Sequence, residues 1–124
     1  MHIRNIFLLS ILFLAVDSVY LYLMGDFAKS MIYKIQGSKL IFRVFSALFC
    51  YLFLIFGLYY FIILKKASLL EAFLFGLVIY GVYETTNHAI IKNWDLRFVF
   101  LDTLWGGFLF LITTYFYRHL YIVI

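Results

Sequence analysis

Apolar residues run for about twenty positions at a time, four times over, with short polar clusters between the runs. The runs are residues 3–24, 41–64, 69–91 and 97–122. Crossing the ~30 Å hydrocarbon core takes about 20 residues at about 1.5 Å each, so every run is long enough. Lipid offers no hydrogen bonds to an open backbone, so runs of this length must be helical. The period-2 alternation of a membrane barrel is absent from the sequence. The pattern predicts an all-α fold, an integral membrane four-helix bundle in up-down-up-down order, forming a single domain over residues 1–124.

The connections refine this expectation. Lys65, Lys66, Ala67 and Ser68 join the second and third runs, and residues 92–96 join the third and fourth, so both pairs read as tight antiparallel hairpins. The first connection, residues 25–40, is longer and carries Phe27, Ala28, Met31, Ile32 and Ile35 at helical spacing. It reads as a short interfacial helix over about residues 26–36, ended by Gly37. Four spans place both termini on one face. The side holding the first and third connections carries Lys29, Lys34, Lys39, Arg43, Lys92 and Arg97, against Arg4, Lys65, Lys66 and Arg118 opposite, a bias toward a cytoplasmic loop side.

Three carboxylates interrupt the apolar runs: Asp17, Glu84 and Asp102. Counted from the loop-side ends of their spans they lie about 10, 10 and 8 Å deep, so three helices bring an acid to one half of the membrane. Insertion scales charge about 2.5–3.5 kcal/mol for an acid at a helix centre and credit about 0.3–0.6 per Leu, Ile, Val or Phe. The first run inserts readily on that arithmetic. The third is nearly neutral, because Glu84, Thr85, Thr86, Asn87 and His88 stand together in it, and it is expected to line the bundle interior. Tyr80, Gly81, Glu84, Asn87 and His88 share one helical face. Gly76, Gly81, Gly106 and Gly107 thin the third and fourth helices where they would pack. Trp105, about one turn from Asp102, reads as a packing plug over the polar cluster.

Composition agrees with a lipid environment: 67% of the 124 residues are hydrophobic and 13% charged, with a mean hydropathy of +1.06. The net charge of +4 comes from Lys and Arg near run ends, which suits anionic headgroups and offers no stripe for nucleic acid. His2, Arg4 and the apolar stretch after them could open a signal peptide, but Asp17 and Val19 stand where a small-x-small cleavage signal would be, so the segment reads as a retained span. One cysteine, Cys50, excludes an intrachain disulfide.

The segments Tyr83-Glu84-Thr85-Thr86-Asn87, Lys92-Asn93-Trp94 and Asp102-Thr103-Leu104-Trp105-Gly106 resemble the Y-D-x-T-N, K-G-W and D-x-x-W-G patterns of the small membrane proteins grouped as domain of unknown function 2177. Asp17 with Tyr20 approaches that family's first-helix Asp-x-x-Trp, and Tyr33 with Gly37 its Y-x-x-x-G. Glu84, His88, Asn93 and Asp95 depart from it, standing for Asp, an apolar residue, Gly and a common Pro. The resemblance implies a four-helix integral membrane protein and supplies no activity.

Three functions fit these features. In the first, the carboxylates are interhelical polar glue in a structural or scaffold protein, one that belongs to a homo-oligomer or larger assembly; the Phe-, Ile-, Tyr- and Lys-rich composition suits a virion inner membrane among others. In the second, Asp17, Glu84 and Asp102, with Thr86, Asn87, His88 and Trp105 around them, bind a proton, a cation or a polar headgroup. The third is an intramembrane enzyme acting on lipid, which requires an apolar cavity reaching the cluster from the lipid. No Ser–His–acid order, Gly-rich phosphate loop or H-E-x-x-H is present, so no catalytic residue, cofactor or metal is assigned.

Overall fold

The computed structural model describes the backbone of residues 3–123 and the side chains of residues 3–121; His2 lies outside them. The chain forms α1 (Ile3–Gln36), α2 (Val44–Ile63), α3 (Leu69–Ile90) and α4 (Leu96–Val123), with no strand among the described residues. All four helices are long and apolar enough to cross a membrane. Large apolar side chains remain on their outer faces, Phe45 78%, Phe53 74% and Phe100 65% exposed among them, as expected where lipid is the solvent.

α1 differs from the expectation. It does not stop at residue 24 and restart as a separate interfacial helix, but runs unbroken for 34 residues through Gly25 and Asp26 to Gly37, which closes it at φ 74°. Gly25 has open space around it, and no proline interrupts the helical hydrogen bonds. The apolar residues that suggested a separate helix pack instead on the start of α4: Met31 is buried with Trp94, Phe98 and Val99, and Phe27 and Ile35 pack against them. Burying that face holds the extra turns of α1 to the bundle.

α2 begins at Val44, three residues later than its apolar run, with Arg43 at the N-cap. Its last six residues, Leu58–Ile63, wind as a π-helix, with Leu64 N–H donating to Tyr59 O at 2.8 Å. This wider winding buries Leu58, Tyr59 and Ile62 together against the bundle. Over the first ten residues of α2, by contrast, only Ala47 and Tyr51 are even half-buried. The helix is anchored at its π-wound end and stands away from α3 toward its N-terminus.

Ser68 starts α3 with a capping box: its hydroxyl accepts from Glu71 N–H at 3.1 Å, and the Glu71 carboxylate accepts from Ser68 N–H at 3.3 Å. Arg118 donates to the Ala67 carbonyl, tying this hairpin to α4. α3 and α4 make the most extensive interface, and glycines allow it. A methyl on Gly76 would overlap the Gly106 carbonyl, one on Gly106 would overlap Tyr80, and one on Gly107 would lie 2.6 Å from Phe73. At Gly81 the nearest group is the Thr103 methyl, at 3.4 Å. The core across the helices is Leu9 and Phe13 of α1, Leu58 and Ile62 of α2, Ala72 of α3, and Leu109 and Phe110 of α4.

Candidate functional site

Asp17, Glu84 and Asp102 are all buried, at 6%, 0% and 8% exposure. A carboxylate away from water needs donors, and at this depth indole and phenol groups supply them. The Tyr51 hydroxyl of α2 donates to Asp17 Oδ2 at 2.6 Å, and Trp105 Nε1 of α4 donates to Asp17 Oδ1 at 2.9 Å. The Tyr20 hydroxyl of α1 donates to Asp102 Oδ1 at 2.9 Å. Trp94 Nε1, in the turn between α3 and α4, donates to Glu84 Oε1 at 2.8 Å. Each carboxylate is thus held by a donor from a different element.

The three acids are held differently. Glu84 takes its hydrogen bond from Trp94 at Oε1, while its Oε2 has no hydrogen-bond partner. Asp17 is linked to Asp102 through rings: Tyr20 stacks on Trp105, with centroids 4.8 Å apart and planes 3° apart. No ion pair reaches any of the three among the described residues, where the ion pair found is Arg97 with Asp95 at 2.8 Å. Arg43 is exposed at the N-cap of α2. Nor do three metal-ligating side chains gather at one point among the described residues.

The other residues expected at the site fall in different places. Thr86 and His88 are exposed. Asn87 is half-buried. Trp105, expected as a plug, is half-buried and is also a hydrogen-bond donor. The sequence alone named no donor for the three acids, and Tyr51, Tyr20 and Trp94 were not singled out as their partners. The signal for them was available in principle: the buried acids need N–H or O–H donors, and Tyr and Trp are the donor-bearing residues able to reach them from apolar runs.

Because α2 leans away, a cleft opens at the side of the bundle. It has two adjoining lobes of about 290 and 400 Å³. Both are lined by Cys50 and Leu54 of α2, Tyr80 and Tyr83 of α3, and Asp102 of α4. The larger lobe adds Asp17, Tyr20, Tyr51 and Phe42. The walls are mostly carbon, with two of the three carboxylates, Asp17 and Asp102, among the lining residues.

A family model described as a predicted membrane protein (DUF2177) matches residues 2–117 of the chain. No curated protein and no solved structure matches it.

Proposed function

Since the chain belongs to the DUF2177 family of predicted membrane proteins, we propose that it is a small structural component of a membrane in which Asp17, Glu84 and Asp102 act as interhelical polar glue. The observation that carries this reading is the donor set: Tyr51, Trp105 and Tyr20 each bring a hydrogen bond to an acid on another helix, and Trp94 brings one to Glu84 from the turn after α3. Such bonds average about 0.6 kcal/mol in membranes. Four together amount to roughly 2 kcal/mol, enough to favour one register among apolar helices that otherwise slide at little cost. In this reading both termini lie on one side of the membrane, and the protein works in a homo-oligomer or larger assembly. Thermal unfolding of the detergent-purified protein tests it across a panel of cations and pH values, beside Asp102→Asn. A flat response in both proteins, with the variant less stable, is the expected result. Stabilisation by a cation or proton in the wild type alone would overturn it.

A second reading, a binding site for a cation or polar ligand, is favoured by the cleft. Glue alone is best served by helices packed shut around the acids, whereas here a side opening leads to Asp102 and Asp17.

A further inference from the structure

We propose that the lateral cleft receives the ammonium head of a membrane lipid, with its phosphate near Arg43 and its acyl chains in the bilayer. This proposal rests on the second reading above, that the carboxylate cluster is a ligand site.

Charge is the first ground. Asp17 and Asp102 are buried and line the cleft, Asp102 in both lobes. None of the three acids has a Lys, Arg or His within ion-pair distance among the described residues. Buried acids are ordinarily matched by a cation or bound to a metal, and a ligand can provide that cation.

The walls select the kind of cation. Small hard ions take several oxygen ligands, but this cleft presents the rings of Tyr20, Tyr51, Tyr80 and Tyr83. Aromatic faces attract alkylammonium groups within about 6 Å of the ring centroid and serve as cages for them. Carboxylates lining an aromatic-walled cleft therefore suit an organic ammonium better than a bare metal ion.

The opening selects the source. It lies between helices along their length, beside the exposed Tyr83 and Cys50, so entry is from the lipid. Lobes of about 290 and 400 Å³ suit a headgroup and leave the chains outside. Arg43, exposed at the start of α2 and next to the lining residue Phe42, offers a cation to the phosphate.

Cys50 is the chain's one cysteine and lines both lobes, so its alkylation reports occupancy. The full chain is reconstituted in vesicles of phosphatidylglycerol alone or mixed with phosphatidylethanolamine, and the rate of reaction with N-ethylmaleimide is measured. Phosphatidylethanolamine is expected to slow alkylation several-fold in the wild type and to have no such effect on Asp102→Asn. Should that variant fail to fold, Tyr83→Leu serves, because Tyr83 lines the cleft without bonding a carboxylate. Native mass spectrometry of the delipidated protein gives a second readout, with phosphatidylethanolamine retained over phosphatidylglycerol by the wild type and less by Tyr83→Leu. Equal alkylation in both vesicles with equal retention of both lipids overturns the proposal, as does equal protection in wild type and variants. Protection by tetramethylammonium or sodium chloride in phosphatidylglycerol vesicles overturns the lipid source but leaves a ligand site standing. If no lipid or cation changes alkylation, retention or stability, the ligand reading itself falls as well.

Discussion

Tyr20 and Trp105 lie face to face, their ring centroids 4.8 Å apart, yet they hand their polar hydrogens to different acids, Tyr20 to Asp102 and Trp105 to Asp17. The stack thus joins two hydrogen bonds that share no atom. Tyr20→Phe and Trp105→Phe each keep a ring and lose one bond, so each is expected to cost about 0.6 kcal/mol, up to ~1.7. Tyr20→Phe should be the more harmful, since Trp105→Phe leaves Asp17 its bond from Tyr51. The phenylalanine pair should be additive within about 0.5 kcal/mol. Replacing both by Leu removes the stack, and the cycle should then show coupling of about 0.5–1.5 kcal/mol. Reversible unfolding in mixed micelles measures both cycles; additivity of the leucine pair would show that the stack contributes nothing.

The glycines inside the helices divide into positions that tolerate a methyl and positions that do not. Gly76→Ala drives Cβ into the Gly106 carbonyl, and backbone cannot swing aside as a side-chain tip can. Gly76→Ala and Gly106→Ala are each expected to cost about 1–3 kcal/mol by forcing α3 and α4 apart. Gly25→Ala meets nothing within 4 Å inside α1 and should be neutral or stabilising by up to about 1 kcal/mol. Comparing the three melting temperatures checks the contrast. If Gly25→Ala proved the most harmful, α1 would not be continuous there.

Much of this architecture could be read from the sequence because lipid imposes it. Twenty apolar residues must be helical, and counting 1.5 Å per residue was enough to expect Asp17, Glu84 and Asp102 at one level of the bundle. Spacing also marked Gly76 and Gly106 as places where backbones approach. The continuity of α1 was not readable, because Gly25 and Asp26 resemble a helix end unless one knows that Met31 and Phe27 pack against Trp94 and Phe98. The donors escaped for a related reason. Tyr20 and Trp94 look like interfacial aromatics in a one-dimensional string, and only the rotation of α1 and the path of the α3–α4 turn bring their polar atoms to acids 82 and 10 residues away. The π-helical winding at Leu58–Ile63 and the lean of α2 beyond it likewise have no mark in the sequence.

Among the described residues, two other than glycine hold positive φ, Lys66 at 53° and Asn93 at 68°. Left-handed backbone costs most residues about 1–2 kcal/mol, and Asn tolerates it better than most. This explains how Asn93 can stand where the resembling family pattern has Gly. Asn93→Gly should leave stability unchanged or slightly raised, and Asn93→Ala should lower it by roughly 1 kcal/mol. Lys66→Gly should raise it by a similar amount in the other hairpin, where no residue of the pattern intervenes. Unfolding midpoints of the three variants decide the matter, and a stabilising Asn93→Ala would show that the turn does not hold its left-handed shape.

Asp95 starts α4 and gives the protein a pH-sensitive joint outside the spans. Its Oδ1 accepts from Arg97 N–H at 2.8 Å, and its Oδ2 pairs with the Arg97 guanidinium, also at 2.8 Å. The hydrogen bonds from Arg97 hold its pKa down from 3.8 to about 2. A carboxyl whose folded pKa is depressed binds protons less readily in the folded state, so its contribution is complete above the unfolded pKa and falls away as acid is added. The turn before α4 should therefore loosen between about pH 4 and pH 2 and be insensitive to pH above that window. The Arg97 side chain is 76% exposed, so added salt should shrink the effect. Asp95→Asn should remove this acid sensitivity while keeping a side-chain oxygen for the cap. Amide exchange at residues 96–98, followed against pH at low and high salt in wild type and variant, gives the answer. An equal acid response in Asp95→Asn would assign the loosening to another carboxylate.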